Sequence, residues 1–179
     1  MVDPVTTERW GYRALFAALA ALVLFIQILP FQVVSSRLPG PDLLVVLAFV
    51  WVLRRPDYVP TFLVAAVVLA ADILQVRPIG LWAGITVLGL EFLRAREHLI
   101  RDLPFMLEWA MVAGVLLMMK LAYVAALGLF MVPQPPLRLS ILQVATSVLS
   151  YPVLAALSRY ALGVFKRAPG EVDALGHRR

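Results

Sequence analysis

The sequence predicts an all-α integral membrane protein folded as a six-helix transmembrane bundle. Three observations predict it. The 179 residues are 62% hydrophobic and only 15% charged, against roughly 45–50% and about 25% in a soluble domain. The apolar residues fall in runs broken by proline, glycine and charge. At about 20 residues per crossing, the chain has room for five or six spans and little extramembrane mass. The cations, finally, sort by side when six spans are drawn. Arg9, Arg13, Arg54, Arg55, Arg94, Arg96, Arg101, Arg159, Lys166, Arg167, Arg178 and Arg179 fall on one side, and Arg37, Arg77 and Arg138 on the other. That bias puts both termini in the cytoplasm. Five spans would leave a basic end outside, against the same rule. The net charge of +5 is thus read as a topology signal, and no nucleic-acid partner is expected.

The first helix covers about residues 11–31, with Trp10 and Tyr12 as interfacial anchors. Its apolar run, Ala14 to Leu29, exceeds a signal-peptide core and precedes no small-residue cleavage site, so it reads as retained. Pro30 ends it. A loop with Ser35, Ser36 and Arg37 follows on the external side. The second helix spans about residues 41–53, with Pro41 in the first turn, where a missing N–H costs little. Its strongly apolar part, Leu43 to Leu53, is about half as long as the hydrocarbon core is thick. Neighbouring helices must shield it, or the bilayer must thin around it.

Arg54-Arg55-Pro56 stops that helix. The third helix is placed at residues 58–76 and the fourth at 78–93, where Gly80-x-x-x-Gly84 is a spacing that lets another helix approach. A charged stretch from Glu91 to Asp102 leads to the fifth helix, residues 105–131. A stiff Pro133-Gln134-Pro135-Pro136 turn precedes the sixth, residues 139–165, which Pro152 is expected to kink. The transmembrane domain is therefore residues 1–165, and residues 166–179 form a basic cytoplasmic tail without fixed structure.

Topology assigns roles to the charged groups. Asp42, Asp72, Arg37 and Arg77 share the external side. Asp42, just after Pro41, suits an N-cap of the second helix. For Asp72 two readings stay open: pairing with Arg77 or a loop amide, or a functional role, since acids inside apolar helices are rare without purpose. Arg54 and Arg55 read as topology signals rather than as an anionic-lipid clamp. Glu91 with Arg94, and Glu97 with Arg101, have the spacing of surface ion pairs. Lys120, within the fifth helix, either pairs with Asp42 or Asp72 across a cavity or extends to the interface along its methylene stem, the reading favoured here. Glu108 is placed at the cytoplasmic interface.

No catalytic constellation stands out. There is no cysteine, so no thiol chemistry is available. His98 and His177 lack carboxylate partners at metal-ligand spacing, no serine has a histidine to activate it, and no phosphate-binding glycine loop occurs. No cofactor and no enzymatic activity are expected.

The order Pro41-Asp42-Leu43-Leu44, then Arg54-Arg55-Pro56, then Asp72 followed by Pro78-Ile79-Gly80, resembles the rod shape-determining protein MreD family. Isoleucine stands at 79 where that family usually has leucine. The motifs lie within residues 38–80, while size and layout agree along most of the chain. The resemblance marks Pro41, Asp42, Arg55, Pro56, Asp72, Pro78 and Gly80 as motif positions, for partner docking or structure. It implies a non-catalytic scaffold of the cell-elongation machinery in the bacterial inner membrane. Its partners would be MreC and, directly or indirectly, MreB, RodA and the elongation transpeptidase, besides membrane lipid. It also implies a fold similar to the substrate-binding membrane subunit of energy-coupling-factor transporters.

A second expectation is kept beside it: a small-molecule, vitamin-type binding subunit of a transporter. Ala14-x-x-x-Ala18 and Ala17-x-x-x-Ala21 resemble the spacing such subunits use against a coupling partner, though that spacing suits any close helix contact. This alternative requires an outer pocket with several converging polar groups, for which the sequence offers Gln32, Ser35, Ser36 and the two acids.

Overall fold

The computed structural model describes residues 4–29, 40–101, 103–134 and 136–160. The elements are α1 (Pro4–Ile28), α2 (Leu43–Arg54), a 3₁₀ turn (Pro56–Tyr58), α3 (Thr61–Leu74), α4 (Leu81–Ala95), α5 (Glu97–Arg101), α6 (Phe105–Leu129) and α7 (Leu137–Tyr160). No strand occurs among the described residues. Three helical segments, Thr7–Ile28, Phe105–Leu129 and Leu137–Tyr160, are long and apolar enough to cross a membrane.

The arrangement follows from α2. Its sequence is apolar on every face, and a helix of that kind has to be buried on every face. Every residue from Leu44 to Arg54 is indeed buried. The helix has 12 residues, about 18 Å of rise, so its neighbours supply the length it lacks. α7 and α4 form its most extensive contacts, α1 covers another side, and α3 packs chiefly on α4.

Cross-helix hydrogen bonds fix the directions. The Asp42 N–H donates to Ser147 Oγ at 2.9 Å and Trp51 Nε1 to Ser158 Oγ at 3.2 Å, so α2 and α7 run parallel. Trp109 reaches Val148 and Lys120 reaches Gln143, which makes α6 and α7 antiparallel. Arg13 meets the Asp57 carbonyl and Gln75 meets Gln27, so α1 and α3 are parallel. Asp42, Arg77, Trp82, Lys120 and Gln143 thereby gather at one end of the bundle, and Glu8, Tyr58, Thr61, Glu91 and Arg94 at the other.

Several expectations need correcting. α2 starts at Leu43, with Pro41 and Asp42 before it. α4 starts at Leu81 because Gly80, at φ 82°, adopts the left-handed conformation open to glycine. The charged stretch between the fourth and fifth predicted helices contains the short helix α5. An added Cβ at Gly80 or Gly84 would meet nothing within 4 Å, so that pair mediates no close approach among the described residues. The close approach is at Gly89, where such a carbon would lie 2.6 Å from Met119 Sδ. On α1 the buried face is Phe16, Ala20 and Leu24, while Ala14, Ala18 and Ala21 point outward.

Pro152 sits inside a continuous α7. It cannot donate to the Val148 carbonyl four residues back, and Trp109 Nε1 donates to that carbonyl instead, at 2.8 Å. Arg54 is buried, donating from Nη1 to the Ala155 carbonyl at 2.8 Å. It is not a loop cation, because α2 ends inside the bundle. Glu108, in the first turn of α6, is 1% exposed and accepts from the Tyr151 hydroxyl at 2.5 Å, so it faces the bundle. The Glu91–Arg94 pair forms at 2.9 Å. Residues 30–39, the Arg101 side chain, Asp102, Pro135 and residues 161–179, with the readings placed on them, lie outside the described residues.

Candidate functional site

Both acids singled out in the sequence lie at one end of the bundle, and both cap helices. Asp42 is the N-cap of α2: a side-chain oxygen, Oδ1, accepts from the Val45 N–H at 3.4 Å. Its other oxygen accepts from Trp82 Nε1 at 3.0 Å, with Arg77 Nη1 3.9 Å away. Asp72 is fully buried, and its Oδ2 accepts from the backbone N–H groups of Gly80 at 3.2 Å and Ala83 at 3.1 Å. These are free donors of the first turn of α4. Gly80, the residue at the cap position, has no side chain to serve them, so Asp72 reaches across the turn from α3. Its carboxylate also faces the positive end of the α4 dipole.

Of the two partners open to Asp72, the turn amides are the ones it takes; Arg77 turns toward Asp42. Pro78 leads the chain into the Gly80 turn, and Pro41 precedes the α2 cap. Arg55 and Pro56 lie at the opposite end, about 18 Å away along α2. There Pro56 opens the 3₁₀ turn, and the Arg55 guanidinium lies 5.9 Å from the Tyr58 ring centre. Burial and the hydrogen bond to Glu8 push the Tyr58 hydroxyl above its ordinary pKa.

Next to Asp42 is a cavity of about 160 Å³ lined by Asp42, Arg77, Trp82, Lys120, Tyr123 and Gln143. Lys120 belongs to it, as the cavity-facing one of its two readings has it, with Gln143 in place of an acid as hydrogen-bond partner. Its ammonium donates to Gln143 Oε1 at 2.7 Å and lies 5.8 and 5.5 Å from the Trp82 and Tyr123 ring centres. Trp82 and Tyr123 themselves meet edge to face, with centres 5.3 Å apart, and hold the wall rigid. Neither they nor Gln143 were marked by the sequence reading. An amide in a largely apolar run, with Ser140, Thr146 and Ser147 at helical spacing from it, is the available signal.

A larger hollow of about 510 Å³ runs between α4 and α6, with Ile85, Leu88, Phe92, Met111, Gly114 and Met118 among its walls. The lining is apolar, and Leu88 and Met118 are strongly exposed. Gly114 forms part of the wall, with nothing within 4 Å of an added Cβ.

Among the described residues no three histidine, cysteine or acidic side chains are grouped to hold a metal ion. The chain matches no protein-family model, no curated protein and no solved structure.

Proposed function

We propose that the protein is a non-catalytic scaffold of the bacterial cell-elongation machinery, an MreD-like inner-membrane protein that binds MreC and, with it, the peptidoglycan synthase. The observation that carries this reading is the apolar hollow between α4 and α6. An exposed apolar concavity with a glycine in its wall suits the close approach of a transmembrane helix, and its three methionines, Met111, Met118 and Met119, adapt to a partner's shape. The motif acids support the same reading, since both are engaged in holding helix ends. The alternation of helix directions supports a six-crossing path with both termini cytoplasmic, in which α2, α3 and α4 cross as short helices shielded by the long ones. A bundle similar to the substrate-binding subunit of energy-coupling-factor transporters belongs to this proposal.

The transporter-subunit alternative is favoured by one observation, the polar cavity at Asp42. Its 160 Å³ is well below the roughly 300–1,000 Å³ of pockets for drug-sized ligands, which argues against a vitamin.

The test is co-purification with MreC in lipid nanodiscs. Gly114→Leu fills the hollow from an open wall position, so it should leave thermal unfolding near wild type while reducing MreC recovery at least tenfold. Wild-type protein that recovers no MreC, or a folded Gly114→Leu variant that recovers it normally, overturns the assignment.

A further inference from the structure

We propose that the cavity bounded by Arg77 and Lys120 is a binding site for a single phosphate-type anionic group. Two cations and one carboxylate line the cavity, one positive charge in excess within the lining; the second acid at this end, Asp72, is fully buried on the α4 turn amides and is not part of that lining. Asp42 pairs loosely with Arg77 and makes no hydrogen bond to either cation. Asp42 uses Oδ1 on the Val45 N–H and Oδ2 on Trp82 Nε1, and Arg77 stands 3.9 Å from it, beyond hydrogen-bond length. Lys120 has three donor positions and directs one to Gln143.

The surroundings raise the value of that excess charge. Aromatic faces and apolar helices enclose the ammonium, and electrostatic attraction strengthens as water is excluded. An ammonium and a guanidinium facing one space are the pair of groups that bind phosphate, the first as a point charge and the second as a planar fork. Access is open from the end of the bundle, where the Arg77 side chain keeps 25% of its exposure. The volume limits the ligand to a small anion or one headgroup, because anything of drug size exceeds it. Bilayer lipids and free inorganic phosphate both offer this group. The inference stands apart from the scaffold assignment, since it needs neither MreC nor the apolar hollow.

The experiment uses the full chain and two probes. Native mass spectrometry after exchange into phosphatidylglycerol or phosphatidylcholine measures retained lipid. Thermal unfolding in phosphatidylcholine nanodiscs with and without inorganic phosphate measures the free anion. Retention of one phosphatidylglycerol, reduced at least tenfold in Lys120→Gln and in Arg77→Gln and kept in Lys120→Arg, identifies the lipid headgroup as the source. A phosphate-dependent rise in unfolding temperature, lost in the same two variants, identifies the free anion. Arg77 sits on a half-exposed turn, so Arg77→Gln remains a test should Lys120→Gln fail to fold. If folded Arg77→Gln binds both probes as wild type does, or wild type binds neither, the site does not exist.

Discussion

Asp72→Ala is the substitution whose outcome the structure defines most sharply. The carboxylate is fully buried and holds the N–H groups of Gly80 and Ala83. Each hydrogen bond to a charged group contributes about 1.5–3 kcal/mol, so removing both costs roughly 3–6 kcal/mol. An opposing effect reduces this. Asp72 Oδ1 is buried without a hydrogen-bond partner, and deleting a poorly solvated charge recovers some of its desolvation cost. A net loss of about 2–3 kcal/mol is expected. Asp72→Asn keeps an acceptor for the two amides but loses the charge facing the α4 dipole, worth about 0.3–1 kcal/mol, so it should lose only about 1 kcal/mol. Equilibrium unfolding in mixed micelles, read by tryptophan fluorescence, measures both. An alanine variant within about 0.5 kcal/mol of wild type would refute the capping role. An asparagine variant as damaged as alanine would show that the charge matters and the acceptor does not.

Two further perturbations test the local arguments. Trp109→Phe leaves the Val148 carbonyl without either possible donor, so it should cost about 1–3 kcal/mol. In a Pro152→Ala background, where the helix itself supplies the N–H, that cost should fall by at least half; additive effects would sink the explanation. Val76, the residue after the α3 C-cap Gln75, has φ 53° and is 92% exposed, a conformation costing a side-chain-bearing residue about 1–2 kcal/mol. Val76→Gly should therefore stabilise the protein by about 1 kcal/mol in the same assay, and a loss of stability would show that the exposed valine makes a contact elsewhere.

The parts of the fold visible in the sequence are those that local rules decide. The all-round apolar character of residues 43–53 demanded shielding by neighbours, and α2 has it. Asp42 after Pro41 carried an N-cap signature because cap and helix are adjacent in sequence. Asp72 was harder, because the donors it serves begin eight residues on and belong to another helix; its spacing to Gly80 becomes meaningful only once α3 and α4 fold back together. Lys120, Glu108 and Arg54 have partners that local rules do not show. Each sits near a helix end or in an apolar run, where the sequence favours the interface, but each finds a partner on α7: Gln143, Tyr151 and the Ala155 carbonyl respectively. α7 carries the polar stripe that makes their burial affordable. Its serines and glutamine read only as weakly polar residues until α2 and α6 are laid against them.

That stripe also explains why one end of the bundle retains a charged cavity. A helix that starts against its neighbours has first-turn N–H groups that require acceptors from the protein. α2 and α4 start side by side at the same end, and their two acids meet this demand. Asp72 commits Oδ2 to α4 and is sealed off. Asp42 commits Oδ1 to α2 and Oδ2 to Trp82, with the α2 N-terminus further tied to α7 through Ser147. The carboxylates needed to start two helices thus keep their charge but spend their hydrogen-bonding oxygens on helix and indole N–H groups. Arg77 and Lys120, brought to that end by the α3–α4 turn and by α6, are left with Gln143, two aromatic faces and one loosely paired carboxylate. The excess positive charge is thus a consequence of the capping, which predicts a coupling: Asp42→Asn, which raises the excess by one charge, should strengthen anion binding at Lys120 even as it weakens the α2 cap.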